Sequence, residues 1–210
     1  MSLPESKVEL VDGGFLTEMQ SYWFLGGTDY DKLCQNFAPV IRQVKEGELV
    51  TDEWQTIDGK LSQLILCDQL SRNAFRGTQE AFAYDALALD IARDLTSYVF
   101  GDQSSDTITS NDEDGNIMYG SYGIFCVLAF MHSEVMEDHE TALKLLDWCE
   151  GQSPGFEWNK TRYYEMDHYN VIKRFGRYPH RNDKLGREST PEEVTWLASD
   201  EVPFWAKSQN

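Results

Sequence analysis

The stretch that decides the fold is TQEAFAYDALALDIARDLTSY, residues Thr78–Tyr98. Ala81, Tyr84, Ala88, Ile91 and Leu95 recur at intervals of three and four, the period of a helix with one apolar face. Thr78 stands where an N-cap belongs, which predicts a helix from Gln79 to about Tyr98. The same period extends outward on both sides. Towards the N-terminus it predicts helices over Thr51–Leu70 and Asp31–Glu46, and a short one over Phe15–Phe24 that Gly26-Gly27 closes. Towards the C-terminus it predicts an apolar helix over Tyr119–Met131, an amphipathic one over Asp138–Glu150, and another over Asn159–Phe175 ended by Gly176. Thr190-Pro191-Glu192-Glu193 then opens a last helix with a cap, a proline at N1 and a glutamate at N3. Almost nothing reads as strand. Seven or eight helices with short links predict an all-α domain, and antiparallel hairpins in a stack or a closed bundle both fit. No strict repeat is visible at the period of about 34 residues expected of a regular solenoid.

Composition narrows the function classes. The chain has 210 residues, 41% of them hydrophobic and 13% aromatic, enough for one sizeable core. A single domain over 1–210 is therefore expected, with an ordered core of about 15–205. The formal charge of −18 disfavours nucleic acid and anionic membranes as partners, because both repel an acidic surface. No run approaches the ~20 apolar residues of a membrane span. The start, Met1-Ser2-Leu3-Pro4-Glu5, lacks the basic and apolar regions of a signal peptide. Cys34, Cys67, Cys126 and Cys149 are scattered among apolar neighbours, the pattern of buried thiols in a reducing compartment. A cytoplasmic location is the expectation. Residues 101–117 are polar and acidic and read as a surface loop. Part of that loop imitates a calcium loop, but Ser110 and Ser121 fall where the first and the bidentate acids belong, so no calcium site is expected.

Charge is unevenly spread along the chain. Residues 160–187 hold eight basic residues against Glu165, Asp167 and Asp183, a local charge of +5 that leaves −23 on the rest. A second basic cluster is Arg72-Asn73-Ala74-Phe75-Arg76. Six arginines (72, 76, 174, 177, 181 and 187) thus fall in two junctions that read as non-helical. Guanidinium forks bind carboxylate or phosphate, and they equally form ion pairs with acids such as Asp68, Asp85 or Glu134. All four histidines lie between residues 132 and 180. His132 and His168 fall on buried stripes, His180 sits beside Arg181, and His139 opens a helix that reads as exposed.

These residues predict a site for a small anionic ligand. Its expected ligand-binding residues are Arg72, Asn73, Arg76, His168, Arg177, His180, Arg181 and Asn182, with His132 and Glu134 as the catalytic acid/base candidates. No metal is demanded by the spacing and no cofactor is indicated. The H-E-x-x-H, G-x-S-x-G, G-x-G-x-x-G and P-loop patterns are all missing. The six tryptophans are spread along the chain and read as core contacts.

Five strings carry a family resemblance. They are Leu66–Gly77 (LCDQLSRNAFRG), Ala81–Ala88 (AFAYDALA), Met131–Glu134 (MHSE), Phe175–Asn182 (FGRYPHRN) and Leu185–Glu193 (LGRESTPEE). Together they resemble the signature of the domain of unknown function 924 family over about residues 15–205. The resemblance implies a TPR-like α–α arrangement and no established activity. His139 stands where the family more often carries glutamine, and the 101–117 loop looks longer than usual. A TPR-like scaffold also implies a second expectation, an interaction module that binds a basic peptide or protein while the Arg and His strings act as internal braces.

Overall fold

The computed structural model describes residues 27–100, 120–152 and 158–207. The predicted Phe15–Phe24 helix and the 101–117 loop lie outside the described residues. Among the described residues there are helices and no strands.

Three expected helices are broken, each for a local reason. Asp31–Glu46 becomes α1 (Thr28–Gln35) and α2 (Ala38–Lys45). Pro39 sits in the first turn of α2, where no backbone donor is needed; inside one continuous helix it would remove a bond and clash with the turn before it. Thr51–Leu70 becomes α3 (Asp52–Gln55) and α4 (Ile57–Ile65). The break lies at Thr56, which is extended and caps α4 by accepting from the Gly59 N–H at 3.0 Å. Gly59 lets the two helices meet closely, since a Cβ there would strike the backbone of Glu53 and Trp54. The third expected helix, from Gln79, starts as a 3-10 turn over Gln79–Phe82. Thr78 does not cap it, because its hydroxyl donates to the Phe75 carbonyl at 2.7 Å.

Between α4 and the 3-10 turn the helix widens. Leu66–Leu70 form a π turn, followed directly by α5 (Ser71–Ala74). The arginine junction at 72 is thus helical rather than irregular, and Arg174 likewise lies inside a helix. The remaining helices match their expected spans within two residues. They are α6 (Asp85–Phe100) after its shifted start, α7 (Gly120–Met131), α8 (Met136–Gln152) and α9 (Trp158–Phe175). A 3-10 turn at Pro179–Arg181 precedes α10 (Pro191–Leu197), whose Thr190–Glu193 capping box forms as the sequence predicts. A last turn, α11, spans Phe204–Lys207.

Sequence neighbours pack on one another: α6 on α7, α7 on α8 and α8 on α9, while α4 lies against α6 and α7. The core runs from Cys34 to Trp158 and includes an unbroken buried stretch, Ile124–Met131, along α7. Val171, Ile172, Tyr178, Trp196, Val202 and Ala206 form a smaller cluster at the C-terminal end. Tyr178 ties the two regions together: it is fully buried and its hydroxyl donates to the Met131 carbonyl at the end of α7. No described helix is long and apolar enough to cross a membrane.

Candidate functional site

The ends of four elements meet beside Tyr178. The π turn and α5 place Asp68 and Arg72 four residues apart on one face, both buried. The first residue of α6 is Asp85, and His132 follows the last residue of α7. The 3-10 turn at 179–181 brings in His180 and Arg181, also buried.

A continuous polar chain links these groups. His132 Nδ1 lies 2.6 Å from Asp68 Oδ1, and the Gln69 amide donates to the other Asp68 oxygen. Arg72 Nη2 donates to Asp85 Oδ1 at 2.9 Å and reaches Asp68 Oδ1 at 3.4 Å. Arg181 Nη1 faces Asp85 Oδ2 at 3.1 Å. Glu134, the other acid/base candidate, is not bonded to His132. Glu134 instead receives the Tyr178 N–H at 2.8 Å and two bonds from Arg187, at 2.6 and 3.0 Å. The acid that orients His132 is Asp68.

Burial sets the electrostatics. Burial and the Arg72 guanidinium push the His132 pKa below the ordinary value, outweighing Asp68. A neutral His132 donates its Nδ1–H to Asp68, which leaves the Nε2 lone pair with no hydrogen bond among the described residues. Burial acts to raise the Asp68 carboxyl, but His132, Arg72 and Gln69 win, and the group lies below the usual carboxylate range. His168 and His180 are both driven well below the ordinary histidine value, first by burial, with the neighbouring histidines adding to it for His168 and Arg181 and Arg72 for His180.

Aromatic rings line the cluster. The Arg181 guanidinium lies 4.5 Å from the Tyr178 ring centre and 5.1 Å from that of Phe82, which is also 5.8 Å from the Arg72 guanidinium. His168 Nδ1 donates to the Tyr164 carbonyl (2.7 Å) and the ring stacks on Trp205 at 3.7 Å, and His180 meets Trp205 edge-on. Trp205 thus touches two of the candidate histidines, beyond the core contact its spacing suggests. A shallow depression of about 330 Å³ opens on the other side of Phe82, lined by Lys45, Glu80, Tyr84 and Leu185 among others.

The other predicted residues are engaged elsewhere. Arg76 bonds Asp31 (2.9 and 3.2 Å) and Asn73, whose own amide donates to the Gln69 carbonyl. Arg177 grips Glu193 at 2.6 and 2.7 Å, and Asn182 donates to Ser189 and Glu193. His139 overturns its sequence reading: it is fully buried on α8, bonded to Glu165 at 2.8 Å and to the Ser133 carbonyl at 3.0 Å. One polar residue at a helix start gives no clue to a buried partner 26 positions later. All four cysteines are buried and unpaired, and burial raises each thiol, so none is a poised nucleophile. Among the described residues, no group of three His, Cys, Asp or Glu side chains is placed to hold a metal ion.

Four donors in this region lack a partner. Arg72 Nε, Arg181 Nε, Arg187 Nε and His180 Nδ1 are buried and make no hydrogen bond. Arg181 donates no side-chain hydrogen bond of good geometry to any described residue; its contact with Asp85 is an ion pair only. Asp85 Oδ2, an acceptor, is buried there without a hydrogen bond as well, so the orphans mark a buried polar cluster whose hydrogen bonding the described residues leave incomplete.

Comparison with known proteins agrees with the resemblance in the motifs. No curated protein matches the chain. A solved structure, described as a protein of unknown function, ATU0120, from Agrobacterium tumefaciens, is similar at 27% identity. The match covers 92% of this chain and 99% of that one, with a TM-score of 0.58. The sequence pattern of the bacterial proteins of unknown function DUF924 matches residues 13–201, and the chain belongs to that family.

Proposed function

We propose that the chain binds a small anionic molecule at the cluster of Arg72, Arg181 and His180, and that His132, oriented by Asp68, is the acid/base group that acts on it. The observation that carries this reading is Arg181, a buried guanidinium whose Nε–H has no acceptor among the described residues and whose one ion pair among them is with an acid shared with Arg72. An oxyanion in that position supplies the acceptor. His132 completes the chemistry, since its neutral form keeps Nε2 available as a base while Asp68 fixes the ring. The reaction class is proton transfer or hydrolysis on an anionic metabolite. In this reading Glu134 positions the 176–187 segment through Arg187 and the Tyr178 N–H. In this reading the all-α fold is arranged as the TPR-like stack that the motifs imply.

Native mass spectrometry of the gently purified chain, compared with its denatured mass, tests the proposal. A retained organic ligand in the parent that is missing from a folded Arg181→Gln variant supports it. An empty parent that gains no thermal stability from any of a panel of small anions refutes it.

A second reading is favoured by one observation. Arg76, Arg174 and Arg177 are each consumed by carboxylates, as braces would be. Under it the chain is an interaction module whose acidic exterior takes a basic peptide or protein, and capture of that partner falls with salt and with neutralisation of outer acids.

A further inference from the structure

His180 has three arginines around it and no carboxylate bonded to it among the described residues. The charged groups that depress it are Arg181 on its own turn, Arg72 from α5, His132 from the end of α7 and Arg187 from the following loop. His168 from α9 acts on it as well, and the uncharged rings of Tyr178 and Trp205 lie beside it, one tilted and one edge-on. The carboxylates nearby belong to other groups: Asp68 and Asp85 hold Arg72 and Arg181, and Glu134 holds Arg187. No carboxylate bonds His180, and its Nδ1 is buried without a partner.

Three arginines and three carboxylates therefore cancel, and with neutral histidines the cluster carries no net charge. An anion entering it adds a buried charge that the arginines alone do not neutralise, because each is already matched. A proton must come with it. Of the groups present, His180 has an unpartnered nitrogen, no carboxylate to hold it neutral or charged, and three orphaned guanidinium Nε–H groups on the residues around it. A monoanion needs one proton and is matched by one imidazolium. A dianion needs a second, and the other two histidines at hand are already engaged, His132 Nδ1 by Asp68 and His168 Nδ1 by the Tyr164 carbonyl.

Resting on the anion-site reading above, we infer that the occupant presents a carboxylate, a single negative charge, and that its binding places one proton on His180. A planar carboxylate fits guanidinium forks in two-point contact, and the half-buried Phe82 ring beside Arg181 gives an apolar body a surface to lie on. Binding then tightens about tenfold for each pH unit of acidification, in the window above the pKa of free His180 and below that of the bound form. A site for a phosphate monoester at neutral pH has no such requirement for a single charge.

The test is titration calorimetry of the full chain with sodium benzoate at about pH 6.5, the ordinary histidine midpoint, in buffers of low and high ionisation enthalpy. The expected result is uptake of about one proton per benzoate, with inorganic phosphate bound more weakly than benzoate at about pH 8, where it is a dianion. In a folded His180→Gln variant uptake falls to near zero. Imidazole NMR shifts of the parent chain identify the protonated ring without any substitution. Benzoate binding with no proton uptake, or uptake that persists in His180→Gln, overturns the assignment to His180 while the anion site stands. Phosphate binding more tightly than benzoate overturns the carboxylate class. Failure of both anions to bind at any pH refutes the anion site itself.

Discussion

Asp85→Asn separates two arginines from the acid they share. Asp85 Oδ1 takes a hydrogen bond from Arg72 at 2.9 Å, and Oδ2 faces Arg181 at 3.1 Å. The guanidiniums are only 8% and 7% exposed, so water cannot replace the lost charge. Arg72 keeps a weaker partner in Asp68 at 3.4 Å, whereas Arg181 has no second carboxylate bond. Removing one member of a buried pair costs about 3–5 kcal/mol, and the lower end applies because the partner acid is 20% exposed. Urea denaturation of both proteins measures it: a loss of ~3 kcal/mol at a slope of about 2–3 kcal/mol per molar moves the midpoint down by about 1 M. Asp85→Leu combined with Arg181→Met removes acid and stranded cation together and recovers most of the loss, because the cost lies in the uncompensated charge. A loss below about 1 kcal/mol for Asp85→Asn, or a double variant no better than the single, refutes the shared-acid account.

Acidification is the next perturbation. The folded pKa of His168 and of His180 is depressed well below the unfolded value near 6.5, so the unfolded chain binds more protons between the two. Stability is full above about pH 6.5 and falls below it by up to ~1.4 kcal/mol per pH unit for each histidine, which denaturation midpoints across that range read out. His132, also depressed, adds to the loss, while Glu165 and Asp167, both raised by burial, oppose it with two groups against three. Gly123→Ala should cost about 1–3 kcal/mol, because a Cβ there strikes the Cys149 sulfur between α7 and α8; thermal melting measures it, and Cys149→Ala in the same chain relieves it. Tyr178→Phe strands the Met131 carbonyl and should cost about 1–3 kcal/mol in urea titration, with His132 exposure to solvent exchange rising as the 176–182 segment loosens.

The helices were legible wherever a stripe ran through one packing environment. Ala88, Ala92 and Leu95 are fully buried on α6, and Ile124–Met131 make α7 apolar all round, so the 3.6-residue period survived in the sequence. It failed where a second helix approached too closely to show in a one-dimensional pattern. Thr56 interrupts an apolar run because Gly59 packs on Glu53 and Trp54, which no local propensity records. The site behaved the same way. The charge asymmetry of 160–187 pointed to Arg181 and His180, and helical spacing pointed to His132 and His168, all of which gather at Tyr178. Spacing misassigned the acid beside His132, because Glu134 is two residues away and Asp68 is 64 residues away. Proximity in sequence carries no information about which side of a helix end a carboxylate reaches.

The segment from Leu66 to Asn73 distinguishes a site from a brace. Asp68, Gln69, Ser71, Arg72 and Asn73 are all buried there, five polar residues in a row of eight. Burial runs through nearly every residue of the π turn at Leu66–Leu70 and on through α5, and unlike the apolar run along α7 it takes polar groups inward. Joining two helices needs nothing so elaborate. Arg76 and Asp31 do it from partly exposed positions with two hydrogen bonds, and apolar packing does it with no desolvation of charge at all. A brace made of Arg72 and Asp85 would also be expected to use its donors fully, yet Arg72 Nε and Arg181 Nε are left without acceptors inside the fold. Local geometry that departs from a regular helix, polar groups carried into the core, and donors left open there all coincide in one place. That combination is what a preorganised binding site requires and what a purely structural contact is better off without.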